Sequence, residues 1–418
     1  MKKQNTAARR LLVAPRAAGL LLPALCFVVA LASFNAAQQP RAAAEQPDMT
    51  IDAATRTQVI EGALKNLREA YVYPEVATRM EQVIREREAK KEYEGITSGR
   101  QLAQILTEHL QAVSRDKHLR VIYRAAVIGE GDIPGARRVM RRAPGGGQGA
   151  DAGGRRIKGE PGGVDTPAGG APVVRRAGTG ASAASGNLGL EKVETLEGNL
   201  GLLDFSMFDA SEEANAKVSE AMNRLADTDA LIIDLRRCRG GARNTITLLM
   251  SYLFDKSVHL SDAYDRLTNS TDESWSLANV PGSRYGQKEV YILTSRFTFS
   301  AAEDVSYTLK NLKRATVVGE TTGGGAHPVT GRLLNEHFFV MVPFARYVSP
   351  VTKTNWEGVG VEPDVKVPAA HALKVAQLAA VKKLAANKQD AQAAARLKAL
   401  AEALQKEVDE LKKESSKS

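Results

Sequence analysis

Hydrophobic positions change period along this chain, and each change marks an element. Between residues 52 and 113 they recur every three to four places. Val59, Ala63, Leu64 and Leu67 form one stripe, Met80, Val83 and Ile84 a second, and Leu102, Ile105, Leu106, Leu110 and Val113 a third. That is the period of amphipathic helices. Pro74 separates the first two, and Ser98 with Gln101 is placed to cap the third. Three short helices of this kind must bury their stripes against one another or against a neighbour. Leu119, Val121 and Tyr123 then alternate as a strand.

From about residue 187 the pattern becomes short apolar runs alternating with helical stretches. Strands are predicted at 200–205, 230–235, 290–293, 316–318, 337–342 and 365–367, and helices at 210–226, 243–254 and 301–312. Ala230, Leu231, Ile232 and Ile233 are continuously apolar, as in a strand covered on both faces. The alternation predicts an α/β core. Residues 370–418 are rich in Ala, Leu and Lys. Leu397, Leu400, Leu404, Val408 and Leu411 predict a helix packed on its own domain.

Two stretches fall outside this scheme. Residues 1–44 begin with Lys2, Lys3, Arg9, Arg10 and Arg16, followed by an apolar run from Gly19 to Leu31 and small residues suited to cleavage. This is the pattern of an export signal, and it predicts a periplasmic or secreted protein, with a membrane tether only if the signal is kept. Residues 127–186 show no hydrophobic period, and 129–186 hold 17 of the 35 glycines. They are predicted to form a disordered Gly/Arg-rich insertion. The formal net charge of +9 sits largely in these two stretches; the rest of the chain comes to −1. A basic nucleic-acid groove is therefore not expected. Of the two cysteines, Cys26 lies in the signal, which leaves Cys238 without an intrachain partner once the signal is removed.

The candidate chemistry starts at Ser300, where a buried-strand pattern turns into a helix. A hydroxyl there can face open space beside unpaired backbone N–H groups. Glu303, three residues on, allows a plainer reading in which Ser300 only caps the helix. Three further segments change the balance. They are Asp116-Lys117-His118-Leu119-Arg120, Ile233-Asp234-Leu235-Arg236-Arg237-Cys238-Arg239-Gly240-Gly241, and Asn355-Trp356-Glu357-Gly358-Val359-Gly360-Val361-Glu362-Pro363-Asp364-Val365. A Val318-Gly319-Glu320-Thr321-Thr322-Gly323-Gly324-Gly325 run follows the Ser300 segment.

These segments, in this order, resemble the tail-specific protease family of C-terminal-processing peptidases. The likeness is greatest to the branch shared with the tricorn protease core and the interphotoreceptor retinoid-binding-protein-like modules. The resemblance implies a mixed-sheet catalytic core of crotonase-like βαβ type over 187–369. A helical domain at 50–114, a strand with the His motif at 115–126 and a C-terminal helix at 370–418 would flank it. It implies Ser300 as nucleophile, His118 as general base and Glu357 as the acid that orients it. Gly240 or Gly241, with the N–H of Ala301, would form the oxyanion hole.

The chemistry is coherent. A serine hydroxyl needs a base within reach, and a histidine needs a carboxylate to hold its tautomer. The expected partner is a peptide or an unfolded protein. No cofactor and no metal are implied, since no His/Asp/Glu cluster has ligand spacing. Three departures stand out. Thr321 occupies the place where the serine–lysine branch carries lysine. Lys117 stands where the tricorn core has serine. Cys238 stands where the turn often has asparagine. His327 is a rival base in a loop, and Asp234 with Arg236 reads as a pair holding the turn. The alternatives are a non-catalytic module that binds apolar ligands or peptides on the same fold, and an esterase or amidase acting on small substrates.

Overall fold

The structure, a computed structural model, describes residues 47–133 and 186–415; the predicted export signal and most of the predicted Gly/Arg-rich insertion lie outside the described residues. Three helices open the chain: α1 (Ala53–Ala70), α2 (Pro74–Ala89) and α3 (Gly99–Ser114). Their ends follow local chemistry. The Asp52 carboxylate accepts the Thr55 N–H at 2.8 Å, Pro74 is the first residue of α2, and the Ser98 hydroxyl accepts the Gln101 N–H at 3.0 Å.

The three apolar stripes meet one another and one face of an antiparallel sheet. That sheet has the order β1 (Arg120–Tyr123), β10 (Phe338–Pro343), β9 (Val329–Asn335). The folded part runs further than the sequence suggests. Ile128 and Ile133, at the start of the predicted insertion, are buried against Phe339 and Met341.

The central sheet has six strands in the order β12-β8-β7-β4-β3-β2. β2 (Leu190–Leu196) and β3 (Leu200–Phe205) form an antiparallel edge. β3, β4 (Ala230–Asp234), β7 (Glu289–Thr294), β8 (Thr316–Gly319) and β12 (Val365–Lys366) run parallel. β4 is buried along its whole length, as its unbroken apolar run requires. On one face α4 (Glu212–Arg224), α5 (Arg243–Tyr252) and α6 (Ala301–Asn311) cover the sheet. On the other lie α7 (Ala372–Asn387) and α8 (Ala391–Ser415).

The predicted single C-terminal helix is thus two. The break falls before Asp390, whose carboxylate accepts the Ala393 N–H at 2.6 Å and starts the second helix. A third sheet, β11 (Ala345–Val348), β5 (His259–Asp265), β6 (Ser270–Trp275), carries little apolar alternation, and the hydrophobic pattern does not reveal it. Among the described residues, no helix is long and apolar enough to cross a membrane.

Candidate active site

β4 and β7 are parallel neighbours, paired from Ala230↔Glu289 to Asp234↔Leu293. The turns that leave their carboxyl ends therefore lie side by side, which is where open α/β sheets bind ligands. One turn carries Gly240 and Gly241, the other Ser300. Short bonds lock them together. The Thr298 hydroxyl donates to the Leu235 carbonyl at 2.8 Å, the Ser295 hydroxyl to the Arg236 carbonyl at 2.6 Å, and the Phe299 N–H to the Cys238 carbonyl at 3.1 Å.

Asp234 and Arg236 form the expected pair, at 2.5 Å, and Arg236 also donates to the Ala369 carbonyl. Cys238 is fully buried, and burial pushes its thiol up to about 12. It is a neutral packing residue at working pH.

Ser300 stands directly before α6 with φ +55° and ψ −123°. A non-glycine residue at positive φ is strained, and such strain collects at functional sites. Its hydroxyl makes no capping bond to the helix. Gly240, at φ +100°, approaches so closely that a Cβ there would fall 2.7 Å from the Ser300 Cβ and 2.9 Å from the Ala301 nitrogen. Only glycine fits. Gly241 is pressed against the Phe208 carbonyl, which a Cβ would meet at 2.1 Å. Among the described residues the N–H groups of Gly240, Gly241 and Ala301 donate to no protein acceptor. Gly240 and Ala301 thus bring free donors beside the serine.

Glu303 does more than the capping-box spacing suggests. It is fully buried, and its carboxylate accepts from the Ser300 N–H at 2.9 Å, the Gly324 N–H at 2.7 Å, the Gly325 N–H at 2.8 Å and the Thr322 hydroxyl. Thr322 in turn accepts the Val361 N–H at 2.7 Å. One side chain therefore joins the serine turn, the triple-glycine loop and the Glu357–Val361 segment. Burial raises its pKa, and the four donors oppose that rise. Glu303→Ala is expected to lower stability by about 3 kcal/mol or more, because it strands buried donors. Glu303→Gln, which keeps one acceptor oxygen, should fall between. Urea unfolding midpoints test this, and equal midpoints for the three proteins would remove Glu303 from the role.

His118 precedes β1 in the other sheet and reaches the same place. Its ring packs on Phe299 with centroids 4.7 Å apart, and a Cβ on Gly325 would lie 2.7 Å from its Cε1. Its backbone N–H donates to Asp116 Oδ1 at 3.0 Å, a two-residue Asx turn. Its Nδ1 is buried and has no hydrogen-bond partner among the described residues. Burial is the main cause that pushes this imidazole down to about 4, with Asp116 pulling upward and His327 adding to the fall. The ring is therefore neutral at working pH, the form a general base requires.

Glu357 is met by a different histidine. Its Oε2 accepts the Ala326 N–H at 2.5 Å and lies 3.5 Å from His327 Nδ1, while its Oε1 is buried and unpartnered among the described residues. His327 is 3 % exposed, and its Nδ1 lies 2.6 Å from Asp116 Oδ2. The Tyr71 hydroxyl donates to the same Asp116 oxygen at 3.4 Å. Burial, then Asp116, pushes Glu357 up to about 7.

The structure thus brings Ser300, Gly240 and Ala301 together and sets His118 against the neighbouring Phe299. No hydrogen bond joins Ser300 to His118 or His118 to Glu357, and His327 takes up the carboxylates instead. Hydrogen bonds between catalytic groups are often long before substrate binds.

Sequence spacing did not bring out Asp116, His327 and Glu357 as a group, because they come from three distant segments. Their inward-facing atoms lie within 4.8 Å of one another. Asp116 and His327 are hydrogen-bonded, and Glu357 accepts the Ala326 N–H while lying 3.5 Å from the same His327 nitrogen. Asp116 had a local signal, since Asp-x-His is an Asx-turn spacing. His327 had none. The other histidines are engaged elsewhere: His109 with Tyr93, His259 with Asp262, His337 with the Arg124 carbonyl and His371 with Ser415.

Residues 199–367 match Peptidase family S41, and residues 52–139 match the N-terminal domain of Peptidase_S41 in eukaryotic IRBP. The carboxyl-terminal-processing peptidase 2, chloroplastic, of Arabidopsis thaliana is 29 % identical over 168 residues, 38 % of this chain and 30 % of that protein. The chain thus aligns with less than a third of that relative's length. Among solved structures, a lipoprotein from Streptococcus agalactiae is similar with a TM-score of 0.48 at 14 % identity, covering 80 % of this chain and 98 % of that one. The photosystem II D1 C-terminal processing protease is similar with a TM-score of 0.43 at 19 % identity, covering 76 % and 94 %.

Proposed function

This chain belongs to peptidase family S41, and on that premise we propose that it is an exported serine peptidase. It hydrolyses peptide bonds by acylation at Ser300. The observation that carries the reading is the serine's setting: positive φ at a helix start, a hydroxyl free of capping, and Gly240 pressed against it beside unengaged N–H groups. A residue needed only to cap the helix would bond its hydroxyl to the first turn.

His118 removes the hydroxyl proton as the oxygen attacks the carbonyl carbon, and the N–H groups of Gly240 and Ala301 receive the oxyanion. His118 then returns the proton to the leaving amine. Water repeats the sequence and frees the acyl group. Glu357 orients the base and stabilises its imidazolium in the ionised form, with Asp116 and His327 holding both in place. An extended substrate lies alongside the carboxyl ends of β4 and β7, near Gly240 and Gly241. The basic and apolar N-terminal pattern supports export to the periplasm or beyond.

A fluorophosphonate probe tests the site. It is expected to label Ser300, as mapped by peptide mass spectrometry. The labelling rate should rise with pH through about 7, as Glu357 ionises, and fall away as pH drops below that value. Protonation of His118 closes the reaction near 4. Labelling elsewhere, or none at any pH, rejects the assignment and favours a binding module.

A further inference from the structure

We propose that the mouth of the Ser300 site is a carboxylate-binding subsite, which selects peptides with an acid next to the scissile bond. The proposal rests on the peptidase reading above and names its substrate class. Three of the four loops that supply a site residue also present a cation: Lys117 before His118, Arg239 before Gly240, and Arg296 in the turn before Ser300. All three are exposed, and none forms a salt bridge among the described residues. Arg237, beside them, differs in being paired with Asp204 at 2.6 Å.

Phe297 organises two of the three. Its ring is 45 % exposed, unusual for a large apolar side chain, and it carries the Arg239 guanidinium 5.2 Å from its centroid and the Arg296 guanidinium 4.6 Å from it. The two charges are therefore held within about 10 Å of each other. Like charges at that range repel, and a shared anion would relieve them. Lys117 donates to the Gly323 carbonyl, which leaves its charge uncompensated.

The nearby acids are already engaged. Glu320 accepts the Arg296 N–H at 3.2 Å with one oxygen and the Ala369 N–H at 3.0 Å with the other, and Glu303 is buried with four donors. Arg239 and Arg296 thus have no salt-bridge partner among the described residues, although Glu320 keeps its charge beside the Arg296 backbone. Planar guanidinium groups suit carboxylates, and the exposed ring between them suits the stem of the acidic residue.

The ligand carboxylate has two sources, an acidic side chain or the substrate's own C-terminus. Three fluorescent peptides separate them: one with glutamate and an amidated end, its glutamine counterpart with an amidated end, and that counterpart with a free end. Binding is read by anisotropy on the Ser300→Ala protein, so that turnover is not needed. The glutamate peptide is expected to bind about tenfold more tightly than the amidated glutamine peptide at low salt, and tighter binding by the free-ended peptide alone overturns the proposal. The gap should shrink as salt rises. Arg239→Gln with Arg296→Gln in the Ser300→Ala background should bring the peptides level.

Equal binding of all three peptides overturns the proposal, as does a preference that survives the arginine substitutions. If the preference holds but wild-type protein cleaves none of the peptides, the peptidase reading fails and the subsite stands.

Discussion

Replacing Ser300 with alanine is expected to lower peptide turnover by at least about 10⁴-fold while leaving the folded state as it was. The reason lies in how little the hydroxyl does for the fold. It makes no capping bond, and the backbone N–H of the same residue, not its side chain, ties the turn to Glu303. Alanine keeps the Cβ and so meets the same cost at φ +55° that serine already bears. A stability change within about 0.5 kcal/mol is expected, as for a substitution that removes no packing and no bond. The catalytic loss is large because no other group in the mouth combines a free hydroxyl with adjacent N–H donors. Turnover of an unfolded protein substrate, with thermal unfolding in parallel, reads both quantities. Wild-type rates from a well-folded Ser300→Ala protein would remove the nucleophile from its role.

His118→Gln is expected to cost a similar factor, on the order of 10⁴. Glutamine retains most of the volume against Phe299 and Gly325, whereas alanine would open a cavity and confuse chemistry with stability. The backbone N–H at 118 remains bonded to Asp116 in either case. A neutral imidazole with an unpartnered Nδ1 is what the variant loses. The matching substitution at His327 separates the two histidines. If His327 only holds Asp116 and Glu357, His327→Gln should retain most of the activity that His118→Gln abolishes. The reverse result would make His327 the base. Its Nε2 is buried and unpartnered among the described residues, so the comparison is a real contest.

Much of the fold was legible in the hydrophobic pattern, because the elements concerned bury one face in a regular period. The strand at 200–205 matches β3 residue for residue, and those at 230–235 and 290–293 match β4 and β7 within one residue at each end. The Ser98 cap was legible because a cap is a contact between residues three apart. β5, β6 and β11 were not. Their side chains are mostly polar, and they exist as strands through pairing with one another. The division of the C-terminal helix was missed because Asp390 caps through its carboxylate, a signal easily lost in an Ala- and Lys-rich run.

The site divides along the same line. Sequence alone determined the serine turn and the glycine turn, each following its own strand, while their lying side by side came from the pairing of β4 with β7. The two turns depend on local backbone chemistry: a strand running into a helix, and glycines where a Cβ cannot fit. It also singled out His118 and Glu357 through a resemblance. Only the tertiary structure decided what surrounds them. Glu303 became a four-donor hub, Asp116 and His327 came to lie against Glu357, and Arg239 came to share the Phe297 ring with Arg296. Each of those outcomes depends on distant segments meeting, up to 241 residues apart for Asp116 and Glu357. Burial there, where water no longer screens charge, sets which groups ionise, and no feature of the linear chain encodes that burial.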